Sequence, residues 1–165
     1  MTNRFLEHTG AKYPIIQAPM GWIARSQLAS AVCAAGGLGI IETSSGETDT
    51  CKAEIEKMFE LTKAPFGVNL PIMFLKDDAM LNYICNSGVK FVTTSAGSPS
   101  KFVGPLKEAG LVVYHAVPSV EAAIRCVEAG IDGLVVEGGE GGGFKNPEEV
   151  STLVLLQAVR GAVDV

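Results

Sequence analysis

The strongest chemical signal in the sequence is an acid that leads into a run of glycines. The apolar segment Leu134-Val135-Val136 stops at Glu137 and opens into Gly138-Gly139-Glu140-Gly141-Gly142-Gly143, with Phe144 next. Glycine tolerates positive φ and has no Cβ, so such a loop lets main chain approach a flat or anionic ligand closely. Glu137 and Glu140 can act as acids or bases, or as acceptors for a ligand. Glu137 carries the greater weight, because a carboxylate at the end of a barrel strand points into the site. The competing reading is a flexible linker, and the structured segments on both sides argue against it.

His115 closes a β-rich run and is the residue type most readily tuned near neutral pH. It is read as a general base at a site rim, or as a rim or core histidine that donates to a backbone carbonyl. His8, near the N-terminus, is expected on the surface. Lys145 suits an anionic substrate or a pyridine-nucleotide phosphate, and equally a solvated loop position. Neither common phosphate fingerprint is present: GxGxxG fails in every register across residues 138–146, and no GK[ST] occurs.

These groups need elements to position them. Ala35-Gly36-Gly37, Ser87-Gly88, Ala109-Gly110 and Ala129-Gly130 each close an amphipathic segment, as glycine does in the left-handed position that ends a helix. Gly88, Gly110 and Gly130 recur at intervals of 22 and 20 residues, the length of a compact βα unit. That period gives six strands: Pro14–Ala18, Leu38–Glu42, Phe66–Leu70, Phe91–Ser95, Val112–Val117 and Gly133–Glu137. Helices are expected over Ser26–Ala35, Thr48–Thr62, Asp77–Ser87, Ser100–Ala109 and Val120–Ala129. A last helix is expected to start near Pro147, capped by Asn146, and to run through Leu153–Val159.

Alternating units with apolar strands imply an α/β fold with a parallel sheet covered by helices. An open doubly wound sheet and a (β/α)8 barrel of the TIM type both satisfy this. Polar or small residues close every strand, as in Gln17-Ala18-Pro19-Met20, Asn69-Leu70-Pro71 and Thr94-Ser95-Ala96-Gly97. One site at all the strand ends favours the barrel. Six strands leave it incomplete, so residues 1–165 are expected to form a single partial barrel domain without strands 7 and 8. Its open edges would promote self-association.

Composition narrows the function classes. With 47% hydrophobic and 19% charged residues, the chain can bury a sizeable core. A net charge of −5 gives no basic field for nucleic acid or an anionic membrane. No apolar run approaches a bilayer-spanning length, and the N-terminus lacks a signal-peptide pattern. Cys33, Cys51, Cys85 and Cys126 show no metal-ligand spacing, and are read as reduced and mostly buried, in a cytoplasmic protein.

The ordered set Tyr13-Pro14-Ile15-Ile16-Gln17-Ala18-Pro19-Met20, Ala35-Gly36-Gly37-Leu38-Gly39, Pro65-Phe66-Gly67-Val68-Asn69-Leu70 and Gly138–Phe144 resembles the nitronate monooxygenase family, formerly the 2-nitropropane dioxygenases. The family also contains FMN-dependent enoyl-ACP reductases and NADH:quinone reductases. The resemblance implies a TIM barrel with non-covalent FMN and a small-molecule substrate. It places Pro19, Met20 and Gly21 along the flavin, Asn69 near it, and Glu140, Gly141, Gly142 and Gly143 beside the ring and substrate. The implied activity is oxidation of alkyl nitronates with O2; an NAD(P)H-dependent quinone or enoyl reductase and a non-catalytic fragment are the alternatives. Many relatives carry a proton-transferring histidine where this chain has Phe144. Phenylalanine cannot move a proton, and losing a general base costs on the order of 10²–10⁴ in rate. Proton transfer then falls to His115 or Glu137. Trp22 and Met20 are expected as an apolar wall beside the flavin, or as core packing under the first loop.

Overall fold

The computed structural model describes residues 3–143 and 150–165. Five parallel strands form one sheet in the order β1-β2-β3-β4-β5: β1 Gly39–Ile41, β2 Phe66–Pro71, β3 Phe91–Ser95, β4 Val112–Val117 and β5 Gly133–Val136. Helices follow in alternation: α1 Arg4–Thr9, α2 Ser26–Ala35, α3 Thr48–Leu61, α4 Ala79–Asn86, α5 Ser100–Glu108, α6 Val120–Glu128 and α7 Thr152–Ala162. This is the expected α/β architecture, a partial (β/α)8 barrel. α1 was not anticipated. The expected cap and start of the last helix at Asn146 and Pro147 lie outside the described residues.

Local chemistry sets the boundaries. Ser119 caps α6 by accepting from the Ala122 N–H at 3.2 Å. Gly36 ends α2 at φ +97°, a conformation that a side chain would strain. The expected first strand, Pro14–Ala18, is reduced to one bridge, Ile16 to Leu38. Leu38 N–H donates to Ile15 O at 2.8 Å and Gln17 N–H to Leu38 O at 3.0 Å. Beyond that the Gln17 side chain replaces the ladder: its Nε2 donates to Ile40 O, and its Oε1 accepts from Ile40 N–H. The alternation was legible, but a side-chain amide substituting for backbone was not.

Side chains alternate across the strands, and the two faces carry two cores. Ile41, Val68, Leu70, Val92, Val113 and Val117 face the helices. Leu38, Ile40, Phe91 and Tyr114 face the barrel interior. The register pairs Gly67 with Phe91 and Gly133 with Tyr114. A β-carbon at Gly67 would come within 2.8 Å of the Phe91 ring, and one at Gly133 within 2.3 Å of the Tyr114 ring. Small residues on neighbouring strands thus make room for large ones in the same layer.

Helix α1 closes this interior layer from below. Phe5 meets Phe91 and Tyr114 edge-on, both at 6.4 Å between centroids. His8 Nδ1 lies 3.0 Å from the Tyr114 hydroxyl. His8 is therefore half-buried and paired, which corrects the expectation of a surface residue. Its partner is 106 residues away in sequence, so no local signal announced it. The four cysteines are free, and three are buried. Among the described residues no helix is long and apolar enough to cross a membrane.

Candidate functional site

The C-terminal ends of the strands surround a cleft of about 1420 Å³. This exceeds the roughly 300–1,000 Å³ of a typical single-ligand pocket. Its lining includes residues from the ends of the strands and Ala122, Arg125 and Cys126 of α6.

Asn69 and Thr93 are register partners on the interior face, as are Pro71 and Ser95. Asn69 Oδ1 accepts from Thr93 Oγ1 at 2.9 Å and from Ser95 Oγ at 3.3 Å. Its main-chain oxygen accepts from Thr43 Oγ1 at 2.7 Å. Asn69 is buried yet lines the cleft. With both hydroxyls on its oxygen, its amide nitrogen is the donor left for a ligand among the described residues.

Pro19, Met20 and Gly21 line the opposite wall. Met20 is half-exposed toward the cleft, whereas Trp22 is 67% exposed and is not part of the lining. The expected Trp22–Met20 wall therefore reduces to Met20 with Pro19 and Ile23. Among the described residues two non-glycines have left-handed backbone, Trp22 at φ 58° and Ala96 at φ 51°. Both sit in loops at the mouth. Such strain persists only where surrounding contacts fix it, and it clusters at functional sites.

The glycine loop folds tightly back. Gly139 N–H donates to Val150 O at 2.7 Å, and a β-carbon at Gly138 would stand 2.3 Å from Thr152 N. Gly141, Gly142 and Gly143 line the cleft with Glu137. Burial raises the Glu137 carboxyl above the usual carboxylate range. Glu140 also borders the cleft, but its Oε2 accepts from Thr152 N–H and Thr152 Oγ1, both at 2.8 Å. These bonds at the start of α7 pull its pKa down to about 2. Glu140 thereby satisfies the first helix N–H, that of Thr152, where the N-cap residue Ser151 makes no side-chain capping bond. Phe144 and Lys145 lie outside the described residues.

His115 pairs in register with Thr94 and shares its face with Val113 and Val117. Its side chain thus belongs to the helix-facing side, where Nδ1 lies 2.7 Å from Thr94 Oγ1. His115 and Ala116 both line the cleft, and Ala116 takes the interior position. Burial lowers its pKa to about 4, with the Gly97 backbone opposing. His115 is neutral at pH 7 and turned away from Asn69, Thr93 and Ser95. Alternation sets this placement, since one residue along a strand changes the face; the bond to the Gly97 backbone matches the alternative reading of a rim or core histidine.

Sequence reasoning passed over Glu42, which is fully buried and bound by Arg25 at 2.9 Å. The available signal was an acid ending the apolar run Leu38–Ile41 in a strand buried on both faces. Buried charge is rare unless paired.

The described residues suit a planar heterocycle. Pro19 and Met20 offer an apolar face, Asn69 an amide donor, and Gly141–Gly143 main chain without Cβ atoms. The glycine at 21 keeps the first loop low: a β-carbon there would meet Ser44 Oγ at 3.2 Å.

The family model for nitronate monooxygenase matches residues 3–82 and 72–165. The chain is 34% identical over 157 residues to (3aS,4S,5R,7aS)-5-hydroxy-7a-methyl-1-oxo-octahydro-1H-indene-4-carboxyl-CoA dehydrogenase of Mycobacterium tuberculosis, covering 95% of this chain and 44% of that protein. It is 29% identical over 213 residues to the nitronate monooxygenase of Pseudomonas aeruginosa, covering 100% and 61%. Among solved structures, FabK from Thermotoga maritima superposes with a TM-score of 0.94 at 33% identity, covering 100% of this chain and 52% of that one. The chain spans about half the length of the curated relatives it matches.

Proposed function

Since the chain belongs to the nitronate monooxygenase family, we propose that it supplies the ring-facing part of an FMN site in an oxidoreductase. The observation that carries this reading is the convergence of the Asn69 amide, the Pro19–Met20 wall and the Gly141–Gly143 main chain on one cleft. Bound FMN supplies two-electron redox chemistry. The chain's own residues then do the rest. Asn69 donates a hydrogen bond, Met20 and Pro19 exclude water from one ring face, and the glycine loop fixes the other side. Glu137 holds a proton to higher pH than an ordinary carboxylate and can pass it to a bound substrate.

Two substrate classes follow. Oxidation of alkyl nitronates with O2 is supported by the family model and the Pseudomonas aeruginosa relative. Redox chemistry on an acyl thioester, either oxidation of the thioester with the flavin as acceptor or reduction of an unsaturated thioester with NAD(P)H as reductant, is supported by the 34% identity to a CoA-ester dehydrogenase. Phe144 favours the second, because it cannot move a proton, and the cleft lining is mostly apolar. We take the thioester reading as the conclusion.

Anaerobic mixing of the FMN-loaded protein with NADH, with an acyl-CoA and with an alkyl nitronate separates them. The expected result is bleaching of the visible flavin bands by NADH or the thioester, and slow response to nitronate. Faster bleaching by nitronate in the unmodified chain would establish the other reading. Phe144→His is expected to speed only the nitronate reaction.

A further inference from the structure

Glu42 does not itself line the cleft, yet every hydrogen bond its side chain makes ends on one of two loops at the mouth. Its Oε1 accepts from Trp22 N–H at 3.2 Å and from Arg25 Nη2 at 2.9 Å. Its Oε2 accepts from Ser44 N–H at 2.7 Å, Ser44 Oγ at 2.8 Å and Ser45 N–H at 3.1 Å. Its own N–H donates to Ala24 O at 3.0 Å. The side chain is fully buried. A carboxylate so placed is stable only because donors surround it; charge-assisted bonds of this kind are about twice as strong as neutral ones.

The bonds join two loops that local sequence does not hold together. One is Ala18–Arg25, which includes Pro19, Met20 and Gly21 on the cleft. The other is Thr43–Glu47, which contributes Ser44. The Trp22 N–H that Glu42 binds belongs to a residue at φ 58°. A bulky aromatic residue rarely adopts that conformation, and it is kept only where contacts over-determine it. Trp22 itself is 67% exposed, so packing of its ring does not hold the backbone. Arg25, the N-cap residue of α2, completes the clamp, and its guanidinium also reaches Ser45 Oγ and Glu47 Oε2, each at 3.2 Å.

We infer that Glu42 is a positioning residue that clamps the first two mouth loops, holds Trp22 in its strained backbone, and thereby sets the Pro19–Met20–Gly21 wall against the ligand. Its effect on ligand affinity rests on the FMN reading above; its effect on the loops does not. Replacing the carboxylate by an amide keeps shape but turns an N–H2 toward donors, so the clamp opens without emptying the space.

The test is Glu42→Gln, with Ser44→Ala as a milder variant that removes one donor. Amide exchange is read at Trp22, Ser44 and Ser45 against Val68 and Val92 in the central strands. FMN affinity is read by quenching of flavin fluorescence. Exchange at the three loop amides should quicken about tenfold or more in Glu42→Gln, the loss expected for hydrogen bonds to a charged acceptor. The strand amides should stay unchanged, and FMN affinity should fall about tenfold in parallel. Ser44→Ala should move both in the same direction by less. Exchange that quickens equally everywhere would show a merely structural role and overturn the inference. So would loop exchange that does not change. If the unmodified chain binds no FMN, the cofactor reading fails while the exchange result still decides the clamp. If it binds FMN equally well in all three forms, the clamp does not set the wall.

Discussion

The Glu137 carboxyl rests on Gly141: a β-carbon at residue 141 would stand 2.3 Å from Glu137 Oε1 and 2.6 Å from its Cγ. The glycine loop therefore doubles back over the end of β5 and half-buries the acid that precedes it. Burial is what raises the Glu137 pKa, so a glycine and a proton-holding carboxyl form one device.

Gly141→Ala must push the Glu137 side chain aside. Overpacking of this kind costs about 1–3 kcal/mol. A lower denaturation midpoint and a loss of FMN affinity of about tenfold are expected, since 1.4 kcal/mol is a factor of ten. Nothing lies within 4 Å of a β-carbon built at Gly142, so Gly142→Ala serves as the control for stability and should leave the denaturation midpoint unchanged. Equal effects at both positions would mean that loop flexibility, and not the Glu137 contact, is what matters.

Glu140 is expected to act on α7 before it acts on any ligand. Its folded pKa, about 2, lies below its ordinary value of 4.5. The stabilisation is thus fully present above pH 4.5 and is lost as pH falls through about 2. The Thr152 amide chemical shift should titrate near pH 2, and that transition should vanish in Glu140→Gln. A midpoint near 4.5 would show that the carboxylate does not hold the helix start.

His115 gives a second pH signature. Its folded pKa of about 4 lies below the ordinary 6.5. As pH falls below 6.5 the unfolded chain takes up the proton first, so stability declines from 6.5 to about 4 and levels off below. The decline is on the order of 3 kcal/mol for this group. It is measured as the difference in denaturation free energy between the unmodified protein and His115→Asn across that window. Parallel pH profiles would contradict the buried neutral ring. A rate loss on FMN-loaded enzyme of 10²-fold or more in His115→Asn, without a stability change, would return it to the role of base.

The fold was largely legible because glycine-terminated helices and apolar strands repeat along the chain, and both signals are local. Ser26–Ala35 and Phe91–Ser95 match their expected bounds. Asn69, Met20 and Gly141–Gly143, which motifs singled out in the sequence, line one cleft. What failed were questions of direction and partnership. His115 lies one residue from an interior position, and register decides its face. His8 and Tyr114, and Glu42 and Trp22, meet only through the tertiary fold. Glu140 follows a strand end as Glu137 does, yet it turns to the helix across the loop.

The barrel floor offers a test of packing without ligand. Tyr114 is buried between Phe5 and Phe91, with its hydroxyl on His8. Tyr114→Phe keeps the ring and should cost about 1 kcal/mol for the lost hydrogen bond. Tyr114→Ala opens a cavity and should cost roughly 3–5 kcal/mol. Similar losses in urea denaturation for the two variants would mean that the hydroxyl, and not the ring, holds the floor.

The most direct test of the central claim is a titration of FMN with the protein, followed by flavin fluorescence and by the visible absorption bands, in the unmodified chain and in Asn69→Ala. Saturable quenching with a shift of the bands is expected, with affinity weakened about tenfold when the Asn69 donor is removed. Free-flavin spectra throughout, or binding indifferent to Asn69, would contradict an FMN ring held in this cleft.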